Sequence, residues 1–313
     1  MASGGHSDQR SYHQPVMLHE VIELLVTDPA GLYLDGTIGG GGHAAAILER
    51  LQGGMVIGFD GDPDALAACR GALGQISASG KLSKVELVLG SYLLACSMEE
   101  LRARLRGRVQ GILLDLGVSS HQLDEPMRGF SYRFDAPLDL RFGGSASAVP
   151  TAAELLETLD ERAIADLLYR YGEERASRRI ARAIVQARQR MPIRTTGQLR
   201  AVVERCVPPS RRYDVLSRVF QALRIAVNDE LGQLESFLRC APDLLCSGGR
   251  IVVISYHSLE DRIVKQAFRQ HAADGRLRIL TGKPLRPSAE EVATNRRSRS
   301  AKLRAAEKVQ REL

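Results

Sequence analysis

The chain has no tryptophan, and aromatic residues make up only 5% of its 313 positions. Any stacking on a flat ligand must therefore rest on a few tyrosines, phenylalanines and histidines. No stretch approaches the roughly eighteen consecutive apolar residues that span a bilayer. The opening residues, Met1 to Gln14, are polar and lack the apolar centre of a targeting signal. Cysteine is sparse. Cys69, Cys96, Cys206, Cys240 and Cys246 are an odd number, lie far apart and contain no C-x-x-C pair. That usage argues against a disulfide framework or a zinc site, so no metal is expected, and it fits a reducing cytoplasm. A cytoplasmic protein without a membrane partner is expected.

Hydrophobic residues reach 44%, enough for a substantial core in one large domain and a smaller one. Lys and Arg (43) outnumber Asp and Glu (37), for a formal charge of +6. Such a balance is compatible with a phosphate-bearing partner without requiring one.

Short apolar runs alternate with helical stretches between residues 31 and 117, as parallel β-α-β units do. Strands are expected at 32–35, 55–60, 85–89 and 111–115, with helices at 43–52, 63–73 and 98–106 between them. The fourth run, Ile112-Leu113-Leu114, is wholly apolar and suits a sheet covered on both faces. A loop-like stretch rich in Gly and Pro follows to about 150. Helical periodicity then takes over, with Ile164, Leu167, Leu168 and Tyr171 on one face and Ile180, Ala183, Ile184 and Ala187 on another. One long helix is expected over 214–239. A strand opened by Gly248-Gly249 leads into a helix at 259–270, and two short strands lie near 277–280 and 300–303. The expected fold is α/β, a Rossmann-like doubly wound sheet formed by 1–118 and 214–313, with an all-helical domain inserted at 119–213.

Asp35-Gly36-Thr37-Ile38-Gly39-Gly40-Gly41-Gly42-His43 lies where the first strand meets its helix. Glycines there permit a sharp turn and close approach of a ligand. Asp60 ends the second strand, where a carboxylate can accept the hydroxyls of an adenosine ribose. Asp115 ends the fourth, on the same edge. Three acids around a glycine turn suit a cationic sulfonium, as in S-adenosylmethionine, better than a pyrophosphate. That weighs against a nicotinamide cofactor.

These blocks resemble a known family. His13-Gln14-Pro15-Val16-Met17, the Asp35–His43 loop, Asp115-Leu116-Gly117-Val118-Ser119-Ser120, Arg128-Gly129-Phe130-Ser131, Tyr171-Gly172-Glu173-Glu174-Arg175, Phe220-Gln221-Ala222-Leu223-Arg224, Ser255-Tyr256-His257-Ser258 and Arg297-Ser298-Arg299-Ser300 occur in the order seen in bacterial small-subunit ribosomal RNA cytosine-N4 methyltransferases. The resemblance runs from about His13 to the C-terminus and departs mildly at Gly61 and His121. It implies S-adenosylmethionine as cofactor, contacted by Gly41, Gly42, His43, Asp60, Tyr92, Asp115 and Gln122. It also implies a cytosine of the ribosomal decoding region as target, in small-subunit RNA or the assembled subunit. A homodimer is compatible with it.

The chemistry sets its own demands. The exocyclic amine of cytosine is a weak nucleophile, so positioning must contribute most of the rate and a group must accept its proton. Asp115 or a neighbouring loop carbonyl is placed to do so. His257 either shapes the base pocket or relays a proton, and Tyr256 or Phe130 can stack on an unstacked base. Arg175, Arg178, Arg179, Arg182, Arg188 and Arg190, with Arg296, Arg297, Arg299, Lys302, Arg304, Lys308 and Arg311 at the end, form two basic stretches. Alone each reads as a solvated face; flanking a base-sized site, they suggest a phosphate track. A DNA or small-molecule methyltransferase, or a non-catalytic assembly factor that binds the same cofactor, are the rival readings.

Overall fold

A computed structural model describes residues 15–77 and 83–310. The polar opening stretch 1–14 and Arg311 lie outside them. Seven strands form one sheet: β1 Leu32–Asp35, β2 Met55–Asp60, β3 Lys84–Leu89, β4 Val109–Asp115, β5 Leu245–Ser255, β6 Leu277–Ile279 and β7 Lys302–Lys308, in the order β3-β2-β1-β4-β5-β7-β6. The first five are parallel, and β7 runs antiparallel between β5 and β6. The expected doubly wound sheet is met.

Alternation along the strands explains the cover on both faces. Tyr33, Val56, Leu113 and Val252 face a core shared with α1 (Leu18–Leu25), α2 (Gly42–Arg50) and α3 (Pro63–Ser77). Their neighbours Leu34, Ile57, Ile112 and Val253 face the opposite core, first covered by α4 (Leu94–Ser97) and α5 (Glu99–Leu105).

After β4 the chain leaves the sheet through α6 (Ser120–Asp124). It then builds a third core from α7 (Ala152–Thr158), α8 (Glu161–Gly172), α9 (Ser177–Arg190), α10 (Thr196–Arg205) and α11 (Arg212–Asn228). Thr151 and Thr195 open α7 and α10 with reciprocal capping boxes, which fix where those helices begin. Val215, Val219 and Leu223 of α11 belong to this core, whereas α12 (Glu230–Leu244) returns to the sheet with Leu234, Phe237 and Leu238. The single long helix expected over 214–239 is thus two. Asp229, in left-handed conformation (φ 48°), breaks it so that each half can serve a different core. α13 (Ser258–Ala273) completes the second face, and α14 (Ala289–Thr294) precedes β7.

Two further expectations are corrected. Gly248 and Gly249 lie inside β5, at a register shift against β4, and do not open the strand. A Cβ on Gly249 would come within 2.7 Å of the Val109 carbonyl, so glycine is needed for that close pairing. Cys96 of α4 and Cys240 of α12 are joined as a disulfide, with Cα atoms 6.3 Å apart. Packing of both helices on one sheet face joins cysteines 144 residues apart, a contact that spacing along the chain does not record.

Candidate active site

The carboxyl ends of β1, β2 and β4 bring Asp35, Asp60 and Asp115 to one edge, where Asp60 and Asp115 border a cavity of about 1090 Å³ and Asp35, 1% exposed, does not reach it. The glycine loop between β1 and α2 is held by that edge. Ile38 N–H donates to the Phe59 carbonyl (3.0 Å), and Gly39 N–H donates to Asp60 Oδ2 (2.9 Å). The other Asp60 oxygen accepts from Asp62 N–H (2.9 Å). Asp115 N–H donates to the Thr37 hydroxyl (2.6 Å). A Cβ on Gly36 would collide with Leu114 and Tyr92, and Gly41 caps α2 at φ 85°. The loop therefore depends on glycine at both places.

Burial dominates the electrostatics. It pushes the Asp35 carboxyl up to about 7, despite the nearby His43 imidazole. Asp60 rises to about 6, burial outweighing its two backbone donors. Asp115 rises too, again through burial, with His43 and the Tyr256 hydroxyl opposing. A cation entering the cavity beside Asp60 and Asp115 would oppose the rise of both. His43 Nε2 faces the Val16 carbonyl at 2.9 Å and so carries the proton there, leaving Nδ1 toward Asp115 Oδ2 at 3.7 Å.

Of the other expected cofactor residues, Gly41 does not border the cavity. Gly42, Tyr92 and Gln122 all border it. Tyr92 packs edge-on against Phe237 (centroids 5.0 Å apart). Gln122 closes a capping box with Ser119 at the start of α6 and donates to Asp62 Oδ2 at 3.2 Å. Gly61, a point of departure from the resemblance, has open space at its Cβ position, with Phe142 3.9 Å away.

Tyr256 and His257 both border the cavity and have partners that the sequence did not show. The Tyr256 hydroxyl donates to Asp115 Oδ1 (2.7 Å), which ties the ring to the carboxylate. His257 is the N-cap of α13, its Nδ1 accepting from Glu260 N–H (3.4 Å) in a capping box. Its Nε2 is buried 3.1 Å from Glu260 Oε1, at an angle that makes no hydrogen bond. The imidazole faces Glu260 from both nitrogens while bordering the cavity.

Part of the cavity wall is aromatic. Phe130 and Phe142 stack (5.9 Å, 17°), and Tyr132 meets Phe220 edge-on (5.5 Å). Arg224 also borders the cavity, held in a bidentate pair with Glu230 (2.7 and 2.9 Å). Sequence reasoning missed Phe142, Arg224 and Glu230 as wall residues. Arg224 lay within a matched block, but nothing marked its ion pair.

The two basic stretches fare differently. Arg178, Arg179 and Arg182 are exposed on α9, with Arg182 3.5 Å from Glu161, and Arg175 is exposed in the turn before that helix. Arg188 instead donates to the Leu159 carbonyl (2.6 Å) and to that of Leu156, closing the end of α7. The closing stretch is not a free basic tail. Lys302 and Arg304 pair with Asp261 (3.4 and 2.7 Å), and Lys308 donates to the Pro242 carbonyl (2.6 Å). Glu307, the acid within this stretch, is engaged by Arg250 and Arg278. Arg296 and Arg299 remain exposed near the mouth, while Arg297 borders the cavity and pairs with Asp124 at 3.2 Å. Among the described residues no cluster of three His, Cys, Asp or Glu is arranged to hold a metal ion.

With the geometry in place, comparison with known proteins decides the family: residues 10–309 match the model of the MraW methylase family. The chain belongs to the MraW methylase family. Its curated relatives agree over nearly the whole length. The "Ribosomal RNA small subunit methyltransferase H" of Heliobacterium modesticaldum is 48% identical, covering 95% of this chain and 99% of its own. The protein of the same name from Granulibacter bethesdensis is 45% identical, covering 99% of this chain and 95% of its own. Among solved structures, an rRNA methylase from Streptococcus thermophilus aligns over 94% of each chain at 13% identity and a TM-score of 0.38. The glycine turn, sheet edge and acids described above all lie within the span that matches the family.

Proposed function

We propose that this MraW-family protein transfers the methyl group of S-adenosylmethionine to the exocyclic N4 amine of a cytosine in small-subunit ribosomal RNA. One observation carries the reading: a cavity lined by the half-buried Asp60 and Asp115 carboxylates, with Asp35 buried at the same sheet edge, and by the rings of Phe130, Tyr132, Phe142 and Phe220. Its volume, about 1090 Å³, lies just above the usual range for a small-molecule site, about 300–1,000 Å³. The relatives' printed names supply the class of RNA.

The bound cofactor supplies a methyl group already activated for attack. Asp60 accepts from the ribose hydroxyls, Gly41, Gly42 and His43 border the charged amino-acid end with Asp35, and Tyr92 flanks the adenine. Gln122 closes the site from α6. Asp115, fixed by Tyr256, accepts the proton that the amine loses, while Phe130 and Phe142 wall the space for an unstacked base. His257 shapes that pocket through Glu260.

The inserted helical domain, 119–213, serves substrate recognition together with α11, whose apolar face completes its core. Arg175, Arg178, Arg179 and Arg182 on that domain, with Arg297 and Arg299 at the mouth, follow RNA phosphates. Such a substrate, as free RNA or within the assembled small subunit, places the enzyme in the cytoplasm. The test is mass spectrometry of nucleosides from small-subunit RNA with and without the gene, coupled to methyl transfer by the purified protein. Loss of N4-methylcytidine, restored by the protein, is expected; an unchanged nucleoside profile would refute the reading.

A further inference from the structure

We infer that Arg128 is a positioning residue for cofactor retention, clamping the turn that carries Asp60 to the segment that closes over it. Arg128 does not border the cavity, so it acts through others. Its Nη1 lies 2.9 Å from Oδ2 of Asp62, a carboxylate only 1% exposed, which also accepts from Gln122 Nε2 (3.2 Å). Asp62 N–H in turn donates to Asp60 Oδ1, so the turn is wrapped around the Asp60 carboxylate. The other arm of the guanidinium, Nη2, donates to the carbonyls of Phe142 (2.5 Å) and Arg141 (3.3 Å).

That second segment lies directly against the turn. A Cβ on Gly143 would come within 3.2 Å of the Gly61 carbonyl, and Phe142 and Gly143 border the cavity beside Asp60 and Gly61. Its far side is held by Asn228, whose Oδ1 accepts from Phe142 N–H (2.8 Å) and whose Nδ2 donates to the Leu140 carbonyl (2.8 Å). One planar, permanently charged fork satisfies a buried carboxylate and two carbonyls on opposite walls, a set of contacts that an ammonium cannot reproduce. Removing it strands the Asp62 charge beside Asp60 and releases the closing segment. The Asp62 carboxylate already raises the Asp60 pKa, and Arg128 opposes that rise.

The inference rests on Asp60 being the ribose acceptor, so Asp60→Ala is measured in parallel. S-adenosylmethionine affinity and release rate are read by calorimetry and stopped flow on the full chain for R128A, R128K, D62N and the double variant D62N/R128A. R128A is expected to raise both Kd and release rate about tenfold, with R128K recovering only part. Turnover at saturating cofactor should stay within about threefold, and the pH midpoint of binding should move up. The double variant should bind no more weakly than R128A alone, because both changes break one clamp. Release rates within twofold of wild type, or additive losses, overturn the clamp. If R128A does not fold, D62N and R128K decide by the same release-rate criterion. If D60A leaves affinity unchanged, the site assignment itself falls; if D60A weakens binding while R128K and D62N do not, only the clamp does.

Discussion

The Tyr256 hydroxyl donates to Asp115 Oδ1 at 2.7 Å, joining β4 to the end of β5 across 141 residues of sequence. The bond leaves Oδ2 toward His43 and the cavity, so Asp115 has one oxygen anchored and one oxygen for chemistry. Asp115→Ala should lower the single-turnover methylation rate by about a hundredfold or more, the scale of a lost general base. Cofactor affinity should fall by much less. Tyr256→Phe should slow the same step more mildly, because the carboxylate remains but is free to rotate. Rapid-quench transfer onto RNA checks both; a near wild-type rate in Asp115→Ala would move the proton-acceptor role to a backbone carbonyl.

Asp60 spends both oxygens on backbone N–H groups and still borders the cavity. Asp60→Ala should weaken S-adenosylmethionine binding by roughly 1.5–3 kcal/mol, the usual cost of losing a charged hydrogen-bond acceptor. Calorimetry on a variant with an unchanged melting temperature measures it. Unaltered affinity would remove Asp60 from the site.

Binding should also depend on pH. Burial holds Asp35 near 7 and Asp60 near 6, and raises Asp115, with His43 the facing base. Raised carboxyl pKa values mean that protons must leave before a sulfonium can be received in full strength. Affinity for S-adenosylmethionine should therefore increase from pH 5 to 8 and level off above the Asp35 value. S-adenosylhomocysteine, which lacks the sulfonium charge, should show a shallower rise. Parallel slopes for the two ligands would show that the acids do not sense the sulfonium.

Gly129 offers a test of the loop beside the clamp. It lies at φ 75°, and a Cβ there would come within 2.3 Å of the Pro137 carbonyl. Gly129→Ala should cost about 1–3 kcal/mol of stability through backbone strain and overpacking. Chemical denaturation reads the loss, and a midpoint unchanged from wild type would show that this loop yields freely.

RNA affinity should fall with salt by a log–log slope of about 0.7–0.9 per phosphate contact released. Replacing exposed Arg178 and Arg182 together should flatten that slope by about one to two units and leave cofactor affinity alone. Replacing Lys302 and Arg304 should not change the slope, because Asp261 engages both. Identical slopes for wild type and the α9 double variant would mark those arginines as a solvated face.

Local pattern carried much of this protein into view. Short apolar runs ending in Asp35, Asp60 and Asp115, a glycine turn after the first, and helical periodicity beyond residue 150 are properties of neighbouring residues. The sheet, the acid-lined edge and the helical insertion could therefore be read from sequence alone. What only the folded chain decided are meetings of residues remote in sequence. Packing of β4 against β5 placed the Tyr256 hydroxyl on Asp115, a bond that reading its ring as a stacking platform did not include. A run of basic residues looked like a tail until antiparallel pairing of β7 set Arg304 and Lys302 beside Asp261. Cys96 met Cys240, and the helix broke at Asp229, because two helices share one sheet face and two cores compete for one apolar stripe. Propensity and spacing act over a few residues, whereas the partner of a buried charge is set by which surfaces the core brings together.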